Sequence, residues 1–219
     1  MISWFSKYAE VVVVVLLGIV SVSTAYTSFQ SSLYDSQMAG AYALGGTYKT
    51  EAESLYLEAN QQYVQDAQTL TALDELAVEM EQGSPEVAAL AQAKYDAVYY
   101  GSVSDVFAAA IDRADQTNAA DPQNYVSPQD DEAYLDDLFG ASQTRASDAD
   151  SQIRLGDEYN SRGDKLTLYT VLMALSLFLL GVAAVVKIVS TKIALCVMAM
   201  VIFTVAAVMT ALVPFVGVA

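Results

Sequence analysis

Histidine is absent from these 219 residues, and cysteine occurs once. Without histidine the chain has neither the commonest general base nor the commonest transition-metal ligand. A lone cysteine excludes an intrachain disulfide and any zinc site built on several thiolates. Positive charge is scarce too, with 10 lysines and arginines against 26 acids, a formal charge of −16. Such a balance excludes phosphate-backbone binding and therefore nucleic acid as a partner, since that needs a basic face. It also disfavours lying flat on an anionic membrane surface. Only four prolines interrupt the chain, and no run alternates apolar with polar residues as a half-buried strand would.

What is present is apolar residue, 54% of the chain, and its placement resolves the conflict with the charge. Glu10 precedes the first apolar run, the other 25 acids fall between Asp35 and Asp164, and none follows Lys165. Three apolar runs, at 11–28, 166–186 and 193–218, each reach the roughly 20 residues that cross a hydrocarbon core. Trp4, Phe5 and Tyr8 before the first, and Tyr26 and Phe29 after it, suit the two interfaces. A cleaved signal peptide is the rival reading of that run, with Lys7 as its positive end and Ser23-Thr24-Ala25 as a small-residue site. Glu10 spoils the pattern, so the expectation is an uncleaved anchor. The only link between the last two runs, 187–192, carries Lys187 and Lys192 and no acid. The positive-inside rule puts that link in the cytoplasm, and Lys7 then agrees. The expected topology is a multi-pass plasma-membrane protein with a cytoplasmic N-terminus and with 31–164 and the C-terminus outside.

Between the apolar ends the chain is rich in helix formers. From 47 to 82 neither glycine nor proline occurs, and Ala52, Tyr56, Ala59, Tyr63, Leu70, Leu73, Ala77 and Met80 recur at steps of mostly three and four. This predicts one long helix with a narrow apolar seam, able to continue from the first span, with Gly40, Gly45 and Gly46 marking a kink or a close contact. Gly83-Ser84-Pro85-Glu86 reads as a stop followed by a capped restart. A second helix is expected from 85 to about 118, jogging at Gly101, then a loop at 121–127. Ser127-Pro128 opens a third helix that runs into the second span. Its stretch 142–151 is nearly all polar and needs neighbours to be stable. The expected fold is all-α: three transmembrane helices carrying a long, acidic, extracytoplasmic helical bundle. Its segments are an anchor at 1–30, an acidic domain at 31–164 and a transmembrane hairpin at 165–219.

Two stretches carry a resemblance. STAYTSFQSSLY, residues 23–34, leaves the first span, and GDEYNSRGDKLTLYTVLMALSLFLLGVA, residues 156–183, enters the second. The chain resembles a family of bacterial three-span membrane proteins of unassigned activity in the run from Tyr26 to Gln30 and in the polar helix around Asn160 and Asp164. The resemblance implies an N-terminal span, an exported helical insert and a C-terminal hairpin. It implies no chemistry.

The acidic cluster Asp130, Asp131, Glu132, Asp136 and Asp137 is the obvious carboxylate site for a hard cation. It lacks the glycine and spacing of a calcium loop, and acids in a first helical turn are what the helix dipole favours. Dipole and solubility are the expected roles, for Asp148 and Asp150 as well; no metal or cofactor is expected. Paired carboxylates for glycoside hydrolysis would need a concave pocket that a thin bundle does not promise, so no enzyme is expected. Ser21, Thr24, Ser28 and Ser31 follow one another at helical spacing on one face of the first span. Small hydroxyl residues there serve close helix packing or, alternatively, line a water-filled path. Glu10, Lys187 and Lys192 mark the cytoplasmic boundary, where a contact between Glu10 and Lys187 would orient the first span against the hairpin. The functional expectation is a non-enzymatic, homo-oligomeric assembly or interaction scaffold of the cell envelope, with the bilayer around its spans and a protein partner for the acidic domain as a further option. The alternative is a small oligomeric channel or transporter component with the first span lining the path, although 11–17 offers ions no polar group.

Overall fold

The computed structural model describes residues 2–217, with side chains from Glu10 onward. Lys7 and the aromatic residues Trp4, Phe5 and Tyr8, read above as boundary markers, therefore have side chains outside the described residues. Among the described residues there are five α-helices and one 3₁₀ turn, and no strand. Helix α1 is Ile2–Gln82, α2 is Pro85–Ser102 and α3 is Asp105–Ala120. A 3₁₀ turn at Pro128–Asp130 precedes α4, Glu132–Val185, and α5 is Val189–Ala211. The protein is all-α. Three of its helices, α1, α4 and α5, are long and apolar enough to cross a membrane.

The punctuation follows local chemistry. Helix α1 passes Gly40, Gly45 and Gly46 without interruption and stops at Gln82. Pro85, whose missing N–H would be unpaired there in any case, starts α2. The expected single helix from 85 to 118 is two helices, parted at Val103 and Ser104. The Ser104 hydroxyl accepts the Phe107 N–H at 3.2 Å and opens α3. That break has a sequence signal, a serine followed at once by Asp105, which the jog placed at Gly101 passed over. The third apolar run also ends earlier than expected. Helix α5 finishes at Ala211 because Pro214 has no N–H to continue the ladder, and 212–217 leaves the helix.

The chain forms two compact units, Met1–Leu44 with Ser151–Ala219, and Gly45–Asp150. The first holds all three apolar helical stretches. Its core is Val13, Val20, Tyr34, Leu166, Met173, Leu180, Ala199 and their neighbours. Buried positions recur every seven residues: Val13, Val20, Thr27, Tyr34 and Ala41 on α1; Leu166, Met173 and Leu180 on α4; Lys192, Ala199 and Ala206 on α5. A seven-residue period is that of helices packed nearly parallel or antiparallel, knobs into holes.

The second unit packs α2, α3 and the adjoining parts of α1 and α4 around Leu73, Phe107, Ala110, Ile111 and Tyr134. Here too α1 buries every seventh residue, Ala52, Ala59, Asp66 and Leu73. Of the seam read from the sequence, Ala52, Ala59 and Leu73 are buried while Tyr56 is 53% exposed. The polar stretch of α4 gains its neighbours in this unit: Ser142 and Ala149 are buried. Arg145 meets Glu51 at 3.0 Å and lies 4.6 Å from the centre of the Tyr48 ring.

Candidate functional site: the polar junction of the apolar helices

In the first unit, side chains of α1 near the end of its apolar run meet α4 and the tail beyond α5. Gly163 lets α4 come close: a Cβ there would lie 2.9 Å from Asp35 Oδ1 and 3.6 Å from Tyr34 Cβ. The buried Ser31 hydroxyl donates to the Gly163 carbonyl at 3.0 Å and sits 2.9 Å from Thr167 Oγ1. One heptad earlier on α4, Gly156 leaves room for the Tyr42 ring, whose hydroxyl donates to Asp157 Oδ1 at 2.6 Å. That bond is the main cause holding the Tyr42 phenol above its ordinary pKa. Tyr34 is fully buried, with Tyr159 at 6.1 Å and the Arg162 guanidinium at 6.0 Å from its ring.

The tail is held by the same part of α1. Gln30, only 4% exposed, pairs with Val216 in both directions. Its Nε2 donates to the Val216 carbonyl at 3.2 Å, and the Val216 N–H donates to its Oε1 at 3.0 Å. The Tyr34 hydroxyl donates to the Pro214 carbonyl at 2.7 Å. A polar amide inside an apolar environment must be fully paired to be tolerated. Gln30 achieves this by reading the backbone of a segment that has left its helix and needs partners. Sequence reasoning missed the pair. Gln30 stands out as the amide in the run 20–30, but nothing in the residues reveals that the tail folds back to it.

The four hydroxyl residues expected on one face divide. Ser31 is buried at the junction, and Thr24 is half-buried with its hydroxyl donating back to the Val20 carbonyl at 2.7 Å. Ser21 and Ser28 are exposed. They stand on an outward ladder with Gly18, Ala25 and Ser32, all exposed, and a Cβ at Gly18 would meet nothing within 4 Å. The true inward face of this stretch is Val20, Thr27, Gln30, Ser31 and Tyr34. Of the boundary charges, Glu10 and Lys187 are exposed and Lys192 is buried in the first turn of α5. No ion pair joins these three among the described residues.

The second unit hides a different polar centre. Asp66 is completely buried, accepting from Tyr134 Oη at 2.7 Å and from Gln62 Nε2 at 2.9 Å. Tyr134 is itself fully buried, 5.0 Å from Phe107 and 6.4 Å from Tyr63 between ring centres. Burial first, then the Asp66 contact, drives its phenol well above the ordinary value. Asp131, from the acidic cluster, has two structural tasks. It accepts from Arg113 Nη2 at 2.7 Å and Nε at 2.8 Å, and from the Tyr134 N–H at 2.9 Å at the start of α4. The Arg113 bonds chiefly, against some desolvation, hold its carboxyl down to about 2. Among the described residues no group of three or more acids or cysteines is arranged to hold a metal ion.

Both centres are made of hydrogen bonds that fix one helix against another. Comparison with known proteins adds no assignment: no protein-family model, no curated protein and no solved structure matches the chain.

Proposed function

We propose that this chain is a non-enzymatic, self-associating scaffold of the plasma membrane, with its acidic helical bundle outside the cell and its copies joined through α1. The observation that carries the reading is the ladder Gly18, Ser21, Ala25, Ser28 and Ser32, exposed along α1 while the opposite face is already filled by the chain's own helices. Helices in a bilayer gain nothing by hiding apolar surface from lipid, so association depends on close van der Waals approach and hydrogen bonds across small residues. A ladder at steps of three and four offers both. The lysines of the link between α4 and α5 support a cytoplasmic link under the positive-inside rule. In this reading three crossings carry the acidic bundle and the tail outside. The resemblance to three-span bacterial membrane proteins fits this architecture, since its two stretches meet at Ser31, Gly163 and Thr167.

The test uses the full chain in nanodiscs and in liposomes. Native mass spectrometry is expected to find an oligomer, and Ser21→Leu to weaken it by crowding the ladder, with no change in ion flux across liposomes. A monodisperse wild-type monomer at micromolar concentration contradicts the proposal. Intact assembly of the Ser21→Leu protein with altered conductance replaces it with the channel.

A further inference from the structure

Arg113, Arg145 and Arg162 each meet a carboxylate, although none of the three is buried. Lys192 departs from this pattern. It is the one buried basic residue among those described, at 8% exposure, and no hydrogen bond or ion pair reaches it. Its stem is covered, but its Nζ is not sealed as Thr210 Oγ1 and Gln129 Nε2 are; a probe the size of water reaches it. A lysine so placed hides its methylenes and presents its charge at one opening. An ionisable group at a membrane boundary calls for a partner, and the chain supplies none.

The opening lies at the start of α5. Lys192 is the fourth residue of this 23-residue helix, and helical side chains lean toward the N-terminus. Its stem therefore runs back over the first turn. There Ile188 caps the helix without a side-chain bond, and the first N–H to find a carbonyl is that of Lys192 itself, on Ile188 at 3.0 Å. The N–H groups of Val189, Ser190 and Thr191 come before that bond and make none to a protein acceptor. They form the positive end of the helix dipole. Lys187, exposed, stands just ahead of the cap, and the Ser190 and Thr191 side chains are exposed beside it. No acid follows Lys165 in the sequence, and Glu10 forms no ion pair.

We propose that the N-terminus of α5, with Lys192 and Lys187, binds a phosphate oxyanion carried by an anionic membrane phospholipid. The inference rests on the membrane-spanning reading of α4 and α5. Free N–H groups at a helix start hold phosphate oxygens by direct bonds, and the two ammonium groups add the charge that favours a net-anionic headgroup over a zwitterionic one. The link lies between two spans, at the depth where lipid phosphates lie, which selects a lipid over phosphate free in solution.

The experiment takes the full chain in nanodiscs of equal phosphatidylglycerol and phosphatidylcholine, releases it into mild detergent, and counts retained lipids by native mass spectrometry. The wild type is expected to keep phosphatidylglycerol in preference to phosphatidylcholine. Lys192→Met, which keeps the stem and removes the charge, should lower that retention about tenfold, the value of one bond to a charged group, and Lys192→Arg should restore most of it. Lys187→Met, at an exposed position that cannot disturb packing, should lower it about threefold, since an exposed charge contributes less. Lys165→Met, at the other end of the second apolar run, should leave it unchanged. Equal retention of the two lipids by the wild type overturns the proposal, as does equal phosphatidylglycerol retention by wild type, Lys192→Met and Lys187→Met. Displacement of the lipid by millimolar inorganic phosphate overturns the lipid assignment in favour of the free ion. Failure of the wild type to enter nanodiscs at all sinks the membrane reading itself, an outcome distinct from an inserted protein that shows no lipid preference.

Discussion

Tyr134 and Asp66 show how one residue can fix the pairing of two helices. A buried carboxyl oxygen that loses its donor is left unpaired in a low-dielectric core. Asp66 has two such donors, one from its own helix at Gln62 and one from α4 at Tyr134. Tyr134→Phe keeps the ring contacts to Phe107 and Tyr63 and removes only the 2.7 Å bond. It should cost about 1–3 kcal/mol, the penalty of leaving a buried partner unpaired. A double-mutant cycle with Asp66→Asn, followed by denaturant unfolding of the full chain, checks this, and additive effects without coupling would contradict it. Asp66 was invisible as a core residue in the sequence. Its acid side chain breaks the apolar pattern, although its spacing from Ala59 and Leu73 is the same seven residues that separate the other buried positions.

At the scale of elements, the long helices and the loop at 121–127 were legible because glycine, serine and proline mark the stops and the apolar runs are continuous. The packing faces were less legible. They are populated by Thr27, Ser31, Ala41, Gly156 and Gly163 in the first unit and by Ala52, Ala59, Ser142 and Ala149 in the second. Small residues carry little hydropathy signal while permitting the closest approach. Of the expected hydroxyl face Ser21, Thr24, Ser28 and Ser31, only Ser31 is buried, and it is joined there by Thr27, about one residue round the helix from Ser28. Gly163 is the most exacting of these positions. Leucine there would need the space held by Asp35 and Tyr34, and it would part Ser31 from the Gly163 carbonyl. Gly163→Leu is expected to destabilise the first unit by about 1–3 kcal/mol, the usual cost of overpacking. The readout is thermal unfolding in detergent, with Gly181→Leu as the control, because a Cβ at Gly181 meets nothing within 4 Å. Equal effects at the two glycines would contradict the packing account.

At the scale of the whole molecule, the composition divides the work. Most of the acids that give the chain its charge lie between the apolar ends, and the unit that holds the apolar ends buries small residues and one amide, Gln30, where its helices meet. Length and hydropathy made legible the three helices that are long and apolar enough to cross a membrane. The fold-back of the tail onto Gln30 was not, because it depends on a backbone segment pairing with one side chain 186 residues away. Self-association through α1 is the claim on which the functional account stands, and disulfide trapping in native membranes tests it most directly. In a Cys196→Ala background, single cysteines at Ala25 or Ser28, on the ladder, are expected to cross-link into dimers on mild oxidation. A cysteine at Leu168, equally outward on α4 at 56% exposure, is expected to remain monomeric. Cross-linking at Leu168 with none at Ala25 or Ser28 would contradict the account.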